Sequence, residues 1–230
     1  MSFAPYPTIA FLAAGLAIAY ANPVLAQGAS AEDTRPLSPA QVVLFETPHL
    51  RNVTQAGTLA YDFVRDGVAG FSDTVAVHVR RVNPNGTKDL AFDYLSGPRR
   101  VQFPELDGFR GNPVLMHTLE RDTVAMKEAL GVSSNYFRNK IRESFVSATV
   151  SDATYMLDGK PVPARVVVVR PFEGDTRLQR MASVQAKTYT FVLCDAVPGT
   201  VAEIRIEMPA DGPMAAPAFA ERVTFKGVTP

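Results

Sequence analysis

Apolar residues along this chain recur with two different periods. Leu59, Tyr61 and Phe63 alternate with Ala60, Asp62 and Val64, and Val75, Val77 and Val79 alternate with Ala76, His78 and Arg80. Period two places every second side chain on one face, which predicts half-buried strands. The turn Asn83-Pro84-Asn85-Gly86 leads into Leu90, Phe92 and Tyr94, and Ser96-Gly97-Pro98 then turns the chain toward Val101 and Phe103. Connections this short join only antiparallel neighbours, so the first half of the chain reads as an antiparallel meander.

The period then changes. Asn112 as N-cap, Pro113 at the first helical position and Gly131 as a left-handed C-cap predict a helix over about 113–130. On its wheel Leu115, Met116, Leu119, Thr123, Met126 and Leu130 fall on one side and His117, Arg121, Val124 and Glu128 on the other. Ser133 or Ser134 can cap a second helix, about 134–148, with Phe137, Ile141, Phe145 and Ala148 in one stripe flanked by Arg138 and Arg142.

Strands return beyond this hairpin. Residues 150–155 lead through Asp158-Gly159 into 162–169, whose run Val166-Val167-Val168-Val169 predicts burial on both faces. The segment 171–182 reads as a loop with one helical turn, and 189–194 pairs through Val197-Pro198-Gly199 with 201–208. A Pro- and Ala-rich crossing over 209–218 precedes a last strand at 220–225. Eight or nine strands around one helical pair define an α+β fold: a curved, half-barrel-like antiparallel sheet with a central helical hairpin packed on one face.

Composition narrows the function. The 230 residues are 47% hydrophobic and carry 23 basic against 23 acidic side chains, which supports one sizeable core and gives no broad attraction to nucleic acid. The uncharged run over 9–20, followed by Pro23 and Val24-Leu25-Ala26, predicts a signal peptide over 1–26 cut after Ala26, although its first residues carry no Lys or Arg. A flexible mature N-terminus over 27–40 then precedes one domain over 41–230, and the expected location is the periplasm or outside the cell. The lone Cys194 excludes an intramolecular disulfide and a zinc site built on several thiolates, and its apolar strand suits a buried structural thiol.

Candidate chemistry is sparse. His49, His78 and His117 are the three histidines; no two share metal-ligand spacing, and each reads as a surface residue. Ser133-Ser134 lacks the second glycine of a nucleophile elbow and is explained by capping. The run Glu120-Arg121-Asp122 is positioned to pair with Arg138 or Arg142 across the hairpin, with Asp122 close enough to the apolar stripe to be partly buried. No metal and no cofactor is expected.

The order of elements, with the strand-turn-strand through Asp158-Gly159 and the hairpin through Val197-Pro198-Gly199, resembles the LolA and LolB type of periplasmic lipoprotein carriers over about 41–225. That resemblance implies an open half-barrel closed by helices over an apolar cavity, and it carries no functional residue across. The leading expectation is an exported, non-enzymatic binding protein for a lipid, an acyl chain of a lipoprotein or another apolar ligand. Its expected lining is Phe63, Phe92, Leu119, Met126, Phe137, Ile141 and Phe145. An envelope assembly module that binds another protein and an unrecognised hydrolase are the alternatives.

Overall fold

The computed structural model describes residues 36–67, 69–210 and 218–230. The expected signal peptide and part of the Pro- and Ala-rich crossing lie outside these residues. Four strands come first: β1 (Gly57–Gly67), β2 (Phe71–Val82), β3 (Lys88–Tyr94) and β4 (Leu106–Phe109). A short helix, α1 (Pro39–Gln41), precedes them, its N-cap Ser38 exchanging hydrogen bonds with Gln41 in a capping box. Helices α2 (Pro113–Leu130) and α3 (Ser134–Ser144) follow, then β5 (Val150–Leu157), β6 (Lys160–Val169), the single turn α4 (Ala182–Gln185), β7 (Thr188–Leu193), β8 (Val201–Met208) and β9 (Phe219–Thr229).

The nine strands of the described residues form one open sheet in the order β4-β3-β2-β1-β9-β8-β7-β6-β5, antiparallel throughout. The fold is α+β with a curved sheet. Strands β4 and β5 are its two edges, and α2 with α3 is the chain that joins them. A connection between opposite edges has to cross one whole face, so this topology itself lays the hairpin over the sheet. The first and last strands meet in the middle, where β1 pairs with β9 from Thr58↔Thr229 to Gly67↔Phe219.

The covered face supplies the core. Leu59, Tyr61 and Phe63 of β1, Tyr189 and Phe191 of β7 and Ile204 and Ile206 of β8 pack in one cluster with Leu115 and Met126 of α2 and Phe137 and Ile141 of α3. Phe137 meets Phe172 edge-on, and Phe145 packs against Phe191. The opposite face is wet, which corrects the expectation for the four-valine run. Val167 and Val169 are buried but Val168 is 47% exposed, because among the described residues no second layer covers the outer side of β6.

The caps read from the sequence are present. Asn112 accepts from the Val114 amide, Ser133 accepts from the Asn135 amide, and Gly131 ends α2 at φ 67°. The second helix stops at Ser144, short of the expected 148, with Phe145 as its C-cap. Gly199 is required by close approach as well as by φ 78°, since a Cβ there would lie 2.9 Å from both Asn112 Nδ2 and Leu59 Cδ1.

Two histidines depart from their expected surface positions. His49 is buried: the turn His49–Asn52 folds onto the β7–β8 connection, where its ring bonds Thr200 Oγ1 and the Leu44 carbonyl, 3.0 Å away. His117 is buried between Phe103, stacked on it at 3.8 Å between centroids, and Phe92, edge-on at 4.6 Å. The segment that carries Phe103 closes over the flank of α2 that a wheel assigns to solvent. His78 remains half-exposed on the outer face of the sheet.

Candidate functional site

The C-terminal half of α2 runs beside the middle of the sheet without filling the space between them. Ala125 and Ala129 stand one turn apart on this side, and such small side chains leave a groove where larger ones would close it. Met126 and Leu130 of the helix, Val184 of α4, Met208 at the end of β8 and Phe219 at the start of β9 complete the apolar walls. The resulting cleft has a volume of about 300 Å³. Met208 and Phe219 also line a neighbouring opening of about 530 Å³, toward Asp66 and Glu207.

The polar lining of the cleft consists of four charged side chains, Arg65, Asp122, Lys187 and Glu221. Glu221 and Arg65 stand opposite each other in the β1–β9 register, on the inward face with Phe63 and Val223. Lys187 leaves α4 just before β7 and is 1% exposed, and Asp122 is 3% exposed. Asp122 accepts from Lys187 Nζ at 2.6 and 2.8 Å and from the Tyr189 hydroxyl at 2.6 Å. Glu221, 3% exposed, accepts from Arg65 Nη1 at 2.6 Å through one oxygen and from Arg121 Nη2 through the other.

Charges this deep persist only when paired. Burial first and Asp122 second push the Tyr189 hydroxyl well above its ordinary pKa, so it stays a neutral donor. Burial opposes the charge on Arg121, yet Glu221 and then Tyr94 hold its pKa above the ordinary guanidinium value. Arg121 lies over the Phe63 ring at 5.1 Å and Arg65 over Phe219 at 4.3 Å, so both guanidiniums are also held by aromatic faces. The cluster is therefore internally paired and cationic by one charge, with Arg65, Arg121 and Lys187 set against Asp122 and Glu221.

The expected cross-hairpin pairing divides. Glu120 does accept from Arg138, at 2.7 Å from Nε. Asp122 faces the sheet instead and pairs with Lys187. Arg121, placed on the polar side by the wheel, turns inward to Glu221 because β9 supplies a carboxylate under that flank of α2.

The seven residues expected to line a ligand site are distributed among three places. Met126 lines the cleft. Leu119, Ile141 and Phe145 line a separate groove of about 320 Å³ between α2 and α3, with Phe45, Met116 and Arg142. Phe63 and Phe137 are fully buried in the core, and Phe92 packs against that same core, edge-on to His117. Sequence reasoning missed Arg65, Lys187 and Glu221. The signal was present for Glu221, which falls in period two with Phe219, Val223 and Phe225 and so puts a carboxylate on an inward face.

Thr58, His78 and Asp93 form a row across β1, β2 and β3, with His78 3.0 Å from the Thr58 hydroxyl and 2.8 Å from Asp93. This is the order of a nucleophile, base and orienting acid. The row lies on the outer face, and Thr58 is paired on both sides, with His78 and Thr229, so its flanking amides belong to the sheet rather than to an oxyanion hole. Among the described residues no three His, Cys, Asp or Glu side chains converge as a metal site.

No family model and no curated protein matches the chain. Among solved structures, the fold is similar to the crystal structure of the Mycobacterium tuberculosis lipoprotein LppX, at 8% identity and a TM-score of 0.33, over 83% of this chain and 96% of that one. A likeness at this level carries no functional argument, and the reading that follows rests on the cleft.

Proposed function

We infer that this chain is a non-enzymatic binding protein for an acyl chain or similar apolar ligand, acting in the cell envelope after export. The observation that carries the reading is the cleft itself, an apolar space of about 300 Å³ with a small set of charged groups converging at one wall. Apolar walls with a few fixed polar groups are the ordinary make-up of a small-molecule site, and this volume is at the lower end of the range of about 300–1,000 Å³ for such sites. In this reading Met126, which lines the cleft, is the sequence-predicted residue that contacts the ligand. The leader-like run over 9–26 supports export.

Uptake of the neutral fluorophore N-phenylnaphthylamine, compared between the native chain and Ala129→Trp, tests the reading. Ala129 is exposed at the cleft wall, so an indole there fills the space without entering the core. The expected result is at least about a tenfold loss of affinity, about 1.4 kcal/mol, with unchanged unfolding behaviour. No uptake by the native chain, or equal uptake by both, overturns it.

A second reading, docking of another protein on the groove between α2 and α3, is favoured by the exposure of Phe45 at 39% and Met116 at 41% beside Arg142. It requires that a bound envelope protein be released by Arg142→Glu.

A further inference from the structure

The charge count at the cleft leads beyond the statement that something apolar binds there. Asp122 and Lys187 neutralise each other. Glu221, by contrast, serves two guanidiniums at once, Arg65 through Oε1 and Arg121 through Oε2. One positive charge is thus left over beside the apolar cleft, where an added anion finds an unneutralised partner. Of the two arginines, Arg65 lines the cleft.

The donors point the same way. A guanidinium has five N–H groups and an ammonium three. Glu221 takes one from Arg65 Nη1, and among the described residues no acceptor meets Arg65 Nη2, on a side chain that is 26% exposed. Asp122 takes two from Lys187, which leaves one N–H on a side chain that is 1% exposed and also lines the cleft. Two cations with uncommitted donors therefore meet one apolar cavity, an arrangement suited to a head group with several acceptor oxygens. A cleft of about 300 Å³, at the lower end of the range for small-molecule sites, suits one chain, with further length running past Met208 and Phe219 toward the neighbouring opening.

We propose that the cleft selects a single-chain anionic amphiphile, its carboxylate or phosphate held by Arg65 with Lys187 and its chain lying along Met126, Leu130 and Met208. This rests on the reading of the cleft as an apolar binding site. Arg65→Gln removes the surplus charge while Glu221 keeps Arg121, so the core is not left with an orphaned carboxylate.

The test is competition against bound N-phenylnaphthylamine by tetradecanol, tetradecanoate, tetradecyl phosphate and a diacyl phosphatidate with chains of the same length. The native chain is expected to bind at least one of the single-chain anions about tenfold or more tighter than the alcohol, the yield of one charge-assisted hydrogen bond, and the tighter of the two identifies the head group. In Arg65→Gln the ratio of anion to alcohol falls toward one, and Arg65→Lys restores it in part. Equal binding of alcohol and anions by the native chain overturns the charge assignment while the apolar site stands. A preference that survives Arg65→Gln overturns the role of Arg65, and a phosphatidate that competes as well as the single-chain phosphate overturns the one-chain limit. Failure of the fluorophore itself to bind removes the site.

Discussion

Replacing Asp122 by Asn keeps the shape of the side chain and removes its charge. In the native chain both carboxylate oxygens face Lys187 Nζ, at 2.6 and 2.8 Å, and one also accepts from Tyr189. Because Lys187 is 1% exposed, its ammonium is left largely desolvated once the carboxylate is gone. Breaking one side of such a buried pair costs about 3–5 kcal/mol. The loss of the Tyr189 acceptor falls within that figure, since the asparagine carbonyl can still take one donor. Removing both charges together, as Asp122→Leu with Lys187→Met, leaves neither member of the pair stranded; the remaining cost is that of the Tyr189 hydroxyl, which keeps only Met126 Sδ at 3.7 Å, about 1–3 kcal/mol. A double variant less destabilised than Asp122→Asn alone is the signature of that mutual dependence. Urea unfolding followed by circular dichroism measures it, with an unchanged m-value required for the comparison. A cost below about 1 kcal/mol for Asp122→Asn, or a double variant as unstable as the single one, refutes the account of the pair as buried and mutually dependent.

Other perturbations follow from the same packing. Burial between Phe92 and Phe103 lowers the His117 pKa to about 4, so the unfolded chain takes up a proton near the ordinary value of 6.5 while the folded chain does not. Stability is therefore full above pH 6.5 and falls as the pH drops toward 4, by about 3 kcal/mol. Urea titrations at several pH values should show that slope reduced in His117→Phe; an unchanged slope contradicts it. Gly199→Ala sets a Cβ 2.9 Å from Asn112 Nδ2 at a φ of 78° and is expected to cost more than about 1 kcal/mol, read by the same unfolding assay. Ala129→Trp, which blocks the cleft at an exposed position, should instead leave stability within about 0.5 kcal/mol of the native chain.

Much of this fold is legible in the sequence because its determinants are local. Asn112, Pro113 and Gly131 mark α2 by backbone chemistry alone, and the alternation through Leu59, Tyr61 and Phe63 marks an inward strand face without reference to any partner. The site is less legible because its charges are paired across elements far apart in the chain. Asp122 looks like a neighbour of Arg138 until β7 brings Lys187 beneath it, and Arg121 looks solvated until β9 brings Glu221. A helical wheel describes one cylinder, whereas α2 is contacted on two flanks, by the sheet and by the segment bearing Phe103. That second contact buries His117 and leaves Met116, on the apolar stripe, facing outward. The valine run misleads for a related reason: composition reports apolarity, and only the layer count says whether both faces are covered.

The most direct test of the binding account is photo-crosslinking with a diazirine-bearing fatty acid of the full chain, mapped by peptide mass spectrometry with and without excess unlabelled acid. The account predicts competable adducts on the helical stretch from Asp122 to Leu130 and on Met208 or Phe219, which together enclose the cleft. Adducts confined to Phe45, Leu119, Ile141 and Phe145, or adducts that excess acid does not displace, would contradict it and move the apolar ligand, or the interaction itself, to the groove between α2 and α3.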